Sequence, residues 1–206
     1  MALAGGATAN AFAIEPRRVA LSRHSLGAAG GPTIRIVQLS DLHLRTVSRH
    51  EAHVAEVTIA ARPDLVLFTG DAIDRADSLP LIERFLTLLP RDTPKLAILG
   101  NWEYWGQVDI PRLAKIYDAR NCRLLRNESV TLSIDGVRCS YHTHGGQIAP
   151  FGWAPLRPPG SGRYVRGWYR DAGIPMYVSR GIGTSIIPAR LGNVPEVASF
   201  DWTLSR

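Results

Sequence analysis

The chain of 206 residues is long enough for one domain with a sizeable core, and 45% apolar with 20% charged residues is an ordinary globular composition. No segment reaches the roughly 20 apolar residues that a membrane-spanning helix needs. Two cysteines, Cys122 and Cys139, exclude a disulfide framework, and without CxxC spacing they argue against a thiolate metal site.

The net charge of +6 is concentrated toward the C-terminus, where residues 139–206 hold seven arginines against two aspartates and one glutamate. Such a region suits phosphate, nucleic acid or an anionic membrane surface, although a solvated basic face has the same composition. At the other end, residues 1–14 are small and apolar but lack the basic region that opens a signal peptide. They fit two interpretations: a remnant of an export signal or anchor, or a frayed Ala- and Gly-rich terminus.

The apolar pattern predicts an alternation of strands and helices over the first 125 residues. Strands are predicted at 33–40, 65–70 and 95–100, and helices at 49–61, 78–89 and 110–120. The second and third strands are continuous apolar runs, which is typical of strands buried on both faces. The alternation favours an α/β fold with a largely parallel sheet.

After residue 125 the pattern changes. Residues 129–142 read as a β-hairpin with Asp135-Gly136 as its turn. The last 60 residues are rich in Gly, Pro and aromatic residues, and strands are predicted there at 175–179 and 197–204. No repeat and no linker divides the chain, so residues 15–206 are predicted to form one domain.

Each of the three early strands ends in a cluster of polar residues. The carboxyl ends of parallel strands lie at one edge of a sheet, where ligands bind, so the clusters are predicted to meet. A fourth strand is then followed by two histidines. The clusters are SDLHL with Asp41 and His43, TGDAID with Asp71 and Asp74, LGNWEYW with Asn101 and Glu103, and YHTHGG with His142 and His144.

Carboxylate, amide and imidazole ligands without thiolates suit Mn, Fe or Zn. A pair of such ions, about 3.5–4 Å apart, clamps the attacking and leaving oxygens of a phosphoryl transfer, and a bound hydroxide is the nucleophile. One carboxylate must bridge the two ions, and Asp71 is the natural candidate, because the glycine before it lets the backbone approach closely. Three other histidines, His24, His50 and His53, are interpreted as non-ligands, because His24 precedes the first predicted strand and the other two lie on or near the solvated side of a helix.

Together, D-x-H, G-D-x-x-D, G-N-x-E and H-T-H-G-G-Q resemble the motifs of the calcineurin-like metallophosphoesterases. The bacterial membrane-associated branch, which includes a peptidoglycan-linked phosphoesterase and lipid A precursor pyrophosphatases, is the most similar. Its residues before the first strand resemble EPRRVALSRHSL, and its C-terminal segment resembles GIGTSIIPARLGNVPEV. The resemblance covers about residues 15–206.

This resemblance implies a four-layer α/β/β/α sandwich with a site for two divalent cations. One cation would be held by Asp41, His43, Asp71 and His144, and the other by Asp71, Asn101 and His142. Asp71 and Asn101 would also act in catalysis. The branch implies an envelope or membrane-associated location, with a cytoplasmic one as the alternative, and a phosphorylated small-molecule or lipid-like substrate with a possible peripheral membrane contact.

Two departures from the family pattern stand out. Trp102 takes the place of a histidine that helps the leaving group depart, and an indole N–H is not a useful proton donor. The family also has a further metal-binding histidine before H-T-H, but this chain has no histidine between His53 and His142. We therefore expect an internal deletion near DGVRCSYH, a sheet that lacks part of its strands, and a weakened second metal site.

Three functions follow as hypotheses. The first is metal-dependent hydrolysis of a phosphoester or pyrophosphate bond, on a substrate associated with the envelope. The second is a degenerate member of the family that binds metal or a partner without turnover. The third, a nucleic-acid binder using arginines interleaved with Trp and Tyr, is disfavoured because no nucleic-acid motif is present and +6 is modest. The oligomeric state is left open.

Overall fold

The computed structural model describes residues 15–27, 30–126, 164–170, 175–186 and 188–203. Four helices alternate with or follow strands in this part of the chain: α1 (Arg49–Ala60), α2 (Leu79–Thr87), α3 (Asn101–Trp105) and α4 (Ile110–Asp118). Short 3-10 turns lie at Glu15–Arg17 and Ala76–Ser78. The strands are β1 (Ala20–Gly27), β2 (Thr33–Leu39), β3 (Leu65–Thr69), β4 (Lys95–Ile98), β5 (Cys122–Leu125), β6 (Gly167–Tyr169), β7 (Met176–Val178) and β8 (Glu196–Thr203).

Six strands form a sheet in the order β1-β8-β2-β3-β4-β5. The strands β2, β3, β4 and β5 are parallel neighbours, while β8 runs antiparallel to β2 and parallel to β1. Strands β6 and β7 pair antiparallel in a separate two-stranded sheet. The parallel run places the carboxyl ends of β2, β3 and β4 at one edge, which is where the site lies.

The large sheet is buried on both faces because its strands carry apolar residues at successive positions. On β2, Val37 and Leu39 face a core that includes Ile82 and Phe85 of α2. Ile34 and Ile36 point to the other face and belong to a second core, against which Trp168 of β6 and Tyr177 of β7 pack. Because side chains alternate along a strand, the odd-numbered residues of β2 pack against helices and the even-numbered residues pack toward the small sheet.

The predicted α/β class with a mostly parallel central sheet is confirmed, and the three strands and three helices predicted in the first 125 residues lie within a few residues of their predicted positions. Strand β5 and helix α3 were not predicted. One interpretation was wrong: the stretch around His24, read as lying before the first strand, is itself strand β1. It pairs with β8 over its full length, from Ala20 opposite Glu196 to Gly27 opposite Thr203. A partner so distant in sequence leaves little local signal.

Other predictions lie outside the described residues. These are the interpretations of residues 1–14, the hairpin at 129–142, and the expectation that a sheet lacks part of its strands, which stays a prediction. In the described part of the chain, no helix combines the length and hydropathy needed to cross a membrane.

Candidate metal centre

The first two ligand-bearing loops, which follow β2 and β3, are hydrogen-bonded to each other. The backbone N–H of Asp41 donates to the carbonyl of Gly70 over 3.1 Å, and that of His43 donates to the carbonyl of Asp71 over 2.9 Å. Backbone hydrogen bonds between the two segments thus continue past the ends of β2 and β3, although the residues are no longer in strand conformation. This pairing fixes the three predicted ligands relative to one another before any cation binds.

All three of these residues have left-handed backbone conformations. The φ angles are 54° at Asp41, 44° at His43 and 52° at Asp71. Such values are uncommon for residues with a Cβ, and they persist only where surrounding contacts hold them. At a strand end they turn successive side chains toward one point, which a regular strand cannot do because its side chains alternate.

The result is a compact donor cluster. Asp41, His43 and Asp71 each offer a ligand atom within 4.8 Å of the others, and all three residues are buried. Two carboxylate oxygens and one imidazole nitrogen are the donor types that Mn, Fe and Zn accept. Burying two carboxylates side by side is unfavourable unless a positive charge offsets them, so this chemistry fits a divalent cation.

His43 is oriented by the carboxylate of Asp74, a residue for which the sequence analysis predicted no role. The Nδ1 atom of His43 lies 2.5 Å from Oδ1 of Asp74. Its other ring nitrogen, Nε2, lies 3.9 Å from Oδ1 of Asp41. A carboxylate on one imidazole nitrogen fixes the tautomer and directs the second nitrogen to the metal, which is a recurrent arrangement around bound zinc and related ions.

Glu103 holds the loop that carries Asp71. Its carboxylate accepts the backbone N–H groups of Asp71 at 3.1 Å, Ala72 at 2.6 Å, Ile73 at 3.4 Å and Gly100 at 2.8 Å. Burial, followed by the nearby charge of Asp71, raises the pKa of Glu103. The carboxylate is positioned as the N3 residue of α3, so one side chain caps this helix and clamps the neighbouring loop.

The start of α3 also constrains Asp71 directly. The backbone N–H of Trp102 donates to Oδ1 of Asp71 over 2.9 Å. A Cβ on Gly100 would overlap the Asp71 carboxylate, so only glycine fits there. Asn101, the predicted amide ligand, lies between these two contacts, and the indole ring of Trp102 meets the His43 ring edge to face, with centroids 5.7 Å apart.

A loop from the C-terminal region, which contains Ile182 and Gly183, is hydrogen-bonded to the backbone at Asp41. The N–H groups of Ile182 and Gly183 donate to the carbonyls of Ser40 and Asp41, over 3.0 and 2.6 Å. Arg190, fully buried, donates from its guanidinium to carbonyls of this loop and of the segment after it. Its acceptors are Gly183, Arg180 and Asn193.

The structure therefore brings Asp41, His43 and Asp71 together and places Asn101 beside them. His142 and His144 lie outside the described residues, so their predicted roles stay predictions. His24 is not near this cluster: it packs in an aromatic group with Trp168, Tyr177 and Phe200. His53 is exposed, as expected, but His50 is largely removed from solvent, and burial lowers its pKa.

The sequence had not identified Asp74, Glu103 and Arg190 as functional residues. Two of them carried a usable signal. Asp74 follows Asp71 at the spacing of the G-D-x-x-D motif, and Glu103 stands three residues after Gly100, the position of the acid in a capping box. Arg190 had none, since its partners are backbone carbonyls from distant segments.

The sequence of residues 34–184 matches the model of the calcineurin-like phosphoesterase family, and the chain belongs to that family. It is similar to YkuE of Bacillus subtilis strain 168, described as an uncharacterized metallophosphoesterase, with 27% identity over 96% of this chain and 90% of the relative. It is also similar to YkoQ of the same organism, with the same description, at 23% identity over 80% of this chain and 82% of the relative.

Both alignments are longer than the part of this chain that they contain. The first runs over 258 positions, more than the 206 residues present here, and the second covers 220 positions with 80% of the chain. Each relative therefore has residues without a counterpart in this chain.

Proposed function

We propose that the protein hydrolyses a phosphoester or pyrophosphate bond with the help of a divalent cation. The observation that carries this proposal is the convergence of Asp41, His43 and Asp71 at the carboxyl edge of a sheet of the calcineurin-like family. These three residues would hold the cation, which would supply Lewis acidity to a phosphoryl oxygen.

The chain's own contribution is to hold the ligands in place without further rearrangement. Asp71 has one carboxylate oxygen fixed by the Trp102 N–H, and His43 is oriented by Asp74. Asn101, at the first position of α3, stands between Gly100 and Trp102, which both contact Asp71, and the resemblance assigns its amide oxygen to a second cation. Such preorganisation lowers the barrier because no side chain has to be reoriented during the reaction.

The resemblance gives the second cation three protein ligands. Of its three residues, Asp71 and Asn101 are adjacent in the described part of the chain, while His142 lies outside it. The two alignments, longer than the chain they cover, support an internal deletion. We infer that a ligand has been lost with it, so that the second cation binds less tightly than the first.

A degenerate, non-hydrolytic protein is the second candidate, and Trp102 favours it. Its indole packs against His43, where the family resemblance expects a histidine that assists the leaving group. Without that group, hydrolysis would depend on a leaving group that departs as a stable anion. An envelope location and a lipid-like substrate stay predictions from the sequence.

The test is an assay with bis(4-nitrophenyl) phosphate and Mn²⁺, comparing the protein with Asp71→Asn. Loss of the central carboxylate is expected to lower kcat/KM about a thousandfold, since metal assistance contributes several kcal/mol and each 1.36 kcal/mol is tenfold. Asp118→Asn, an exposed carboxylate at the end of α4, is the matched control and should retain full activity.

Elemental analysis of the same samples separates the two candidates. Turnover that Asp71→Asn abolishes supports the hydrolase. Bound metal near one ion per chain with no turnover supports the degenerate protein instead. Equal turnover by the protein and Asp71→Asn contradicts the proposed site, because the activity would then come from elsewhere.

A further inference from the structure

Large apolar side chains are exposed beside the metal centre. In the described ranges, four such residues are exposed: Ile59, Tyr104, Trp105 and Ile186. Tyr104 and Trp105 belong to α3, the helix that begins at Asn101. Ile186 follows Ser185, whose carbonyl accepts a hydrogen bond from Arg45, two residues after His43. Three of the four thus lie on segments that border the metal centre, whereas Ile59 is on the distant α1.

The aromatic rings form a continuous path from the metal centre to solvent. His43 contacts the ring of Trp102 at a centroid distance of 5.7 Å and an interplanar angle of 87°. Trp102 in turn contacts Trp105 at 5.7 Å and 66°. Trp105 is 67% exposed, so most of its ring is available to a molecule in solution.

A cation borders the same region. The guanidinium of Arg45 lies 3.8 Å from Oδ2 of Asp74, the carboxylate that orients His43, and its side chain is 54% exposed. Gly106, directly after Trp105, packs so closely on the Asp74 carbonyl that a Cβ would overlap it. Arg45 therefore lies beside the side chain of Asp74, and the end of α3 contacts its backbone. A guanidinium beside a phosphoryl site can bind phosphate oxygens in a bidentate manner.

We propose that Trp102, Trp105 and Arg45 form a substrate subsite for a phosphoester that carries a flat ring, either an aryl group or a nucleobase. This subsite rests on the proposed function, because the metal centre would hold the phosphoryl group. Because the two indole planes are 66° apart, the ring stacks on the exposed Trp105 and meets Trp102 edge to face, and Arg45 contacts the anionic part. Aromatic faces with a guanidinium favour a flat π-system, whereas a hydrocarbon chain would gain as much from aliphatic side chains.

The experiment compares the binding of phenylphosphonate and methylphosphonate, which share the anion and differ in the ring. Isothermal titrations with the whole protein are run with and without Mn²⁺. We expect phenylphosphonate to bind about 5- to 150-fold more tightly, the range that one base–aromatic stack provides. Trp105→Ala should remove most of this preference and leave methylphosphonate binding unchanged.

Two further variants and two further probes make the result specific. Trp105→Phe retains a ring and should keep a reduced preference, while Ile59→Ala removes an exposed apolar side chain elsewhere and should change nothing. Adenosine 5′-monophosphate against ribose 5-phosphate, titrated without Mn²⁺, is the second pair. A larger ring preference in this pair identifies a nucleobase as the natural ring, and a larger one in the first pair identifies an aryl group.

Three results would overturn the subsite. The first is equal binding within both probe pairs, and the second is an equal loss of phenyl- and methylphosphonate binding in Trp105→Ala. The third is a larger Trp105 dependence for octylphosphonate than for phenylphosphonate, which would indicate a hydrocarbon chain or a lipid surface. Failure of the hydrolysis assay with the ring preference intact contradicts the proposed function alone, because the titrations need no turnover.

Discussion

A buried charged side chain lies near each end of strand β4. Lys95 is at the start of the strand, called the lysine end, and Glu103 is beyond its C-terminus, at the end called the metal end. At the start of the strand, the ammonium of Lys95 donates to the carbonyls of Pro90 and Thr93 at 2.7 Å and of Arg120 at 3.2 Å. Just past its other end, the carboxylate of Glu103 accepts backbone N–H groups. In both places backbone dipoles, and not an oppositely charged side chain, compensate the charge.

The difference lies in what surrounds each charge. At the lysine end a single cation is enclosed by backbone carbonyls, and Asn121 beside them has a left-handed backbone conformation. At the metal end four carboxyl groups, Asp41, Asp71, Asp74 and Glu103, are buried together in the described structure, and three of the local backbone conformations are left-handed. The hydrogen bonds of Lys95 to carbonyls stabilise the fold. The buried carboxyl groups at the metal end, held by residues in left-handed conformations, are suited to bind a cation.

Among the substitutions that test this difference, Glu103→Gln is expected to have the largest effect on stability. The glutamine amide turns an NH₂ group toward backbone N–H donors and leaves some of them without an acceptor. Because hydrogen bonds to a charged group contribute about 1.5–3 kcal/mol, we expect the free energy of unfolding to fall by about 2–4 kcal/mol. Urea denaturation monitored by circular dichroism measures it.

The matched control is Glu51→Gln. Glu51 occupies the same N3 position in α1 and accepts the N–H and hydroxyl of Ser48, but at the solvent-facing start of that helix. Its substitution should cost about 0.5–1 kcal/mol, as capping interactions on exposed helices do. If both variants lost the same stability, Glu103 would be an ordinary helix cap and not the clamp of the Asp71 loop.

Asp74→Asn addresses the orientation of His43 with a smaller expected effect. An amide at this position can still hydrogen-bond Nδ1 but no longer enforces one tautomer, so Mn²⁺ affinity should fall about 10- to 100-fold with little change in stability. Electron paramagnetic resonance of free Mn²⁺ during titration measures this affinity. Asp77→Asn, on the exposed Asp77 that pairs with Arg75, should bind Mn²⁺ normally. Unchanged affinity in Asp74→Asn would contradict the orienting role.

The convergence of Asp41, His43 and Asp71 could be predicted from the sequence because its signals are local. Asp41, His43 and Asp71 each follow an apolar strand directly, and parallel strands bring their ends together. The same reasoning identified β2 from its β-branched and apolar residues, and β3 and β4 from their buried apolar runs. Where a pattern is confined to one segment and the topology is simple, position along the chain predicts position in space.

The rest depended on contacts between distant segments. Strand β1 is recognisable only from its pairing with β8, and its alternating exposure resembles a surface stretch. Helix α3 has five residues, too few for a periodic signal. Lys95 is the first residue of the strand predicted at 95–100, but its three acceptors, Pro90, Thr93 and Arg120, come from two loops that are distant in sequence.

Lys95→Met tests the lysine end of β4 and is expected to have the smallest effect on stability. Three carbonyls lose their donor, but the cost of burying an ammonium is removed, so the free energy of unfolding should fall by only about 1 kcal/mol at pH 7. Burial lowers the pKa of Lys95 below its ordinary 10.5. Between that lowered pKa and 10.5 the unfolded chain binds more protons than the folded one, so stability contributed by this group rises with pH.

The pH dependence distinguishes this residue from the other lysine of the chain. Stability of the protein relative to Lys95→Met should increase as the pH approaches 10.5 from below, and this difference is measured by urea denaturation at a series of alkaline pH values. Lys115→Met, which removes an exposed ammonium on α4, should leave the pH profile unchanged. A profile that shifts equally in both variants would mean that Lys95 is solvated, and the two ends of β4 would then differ in the exposure of their charges and not in how the backbone compensates them.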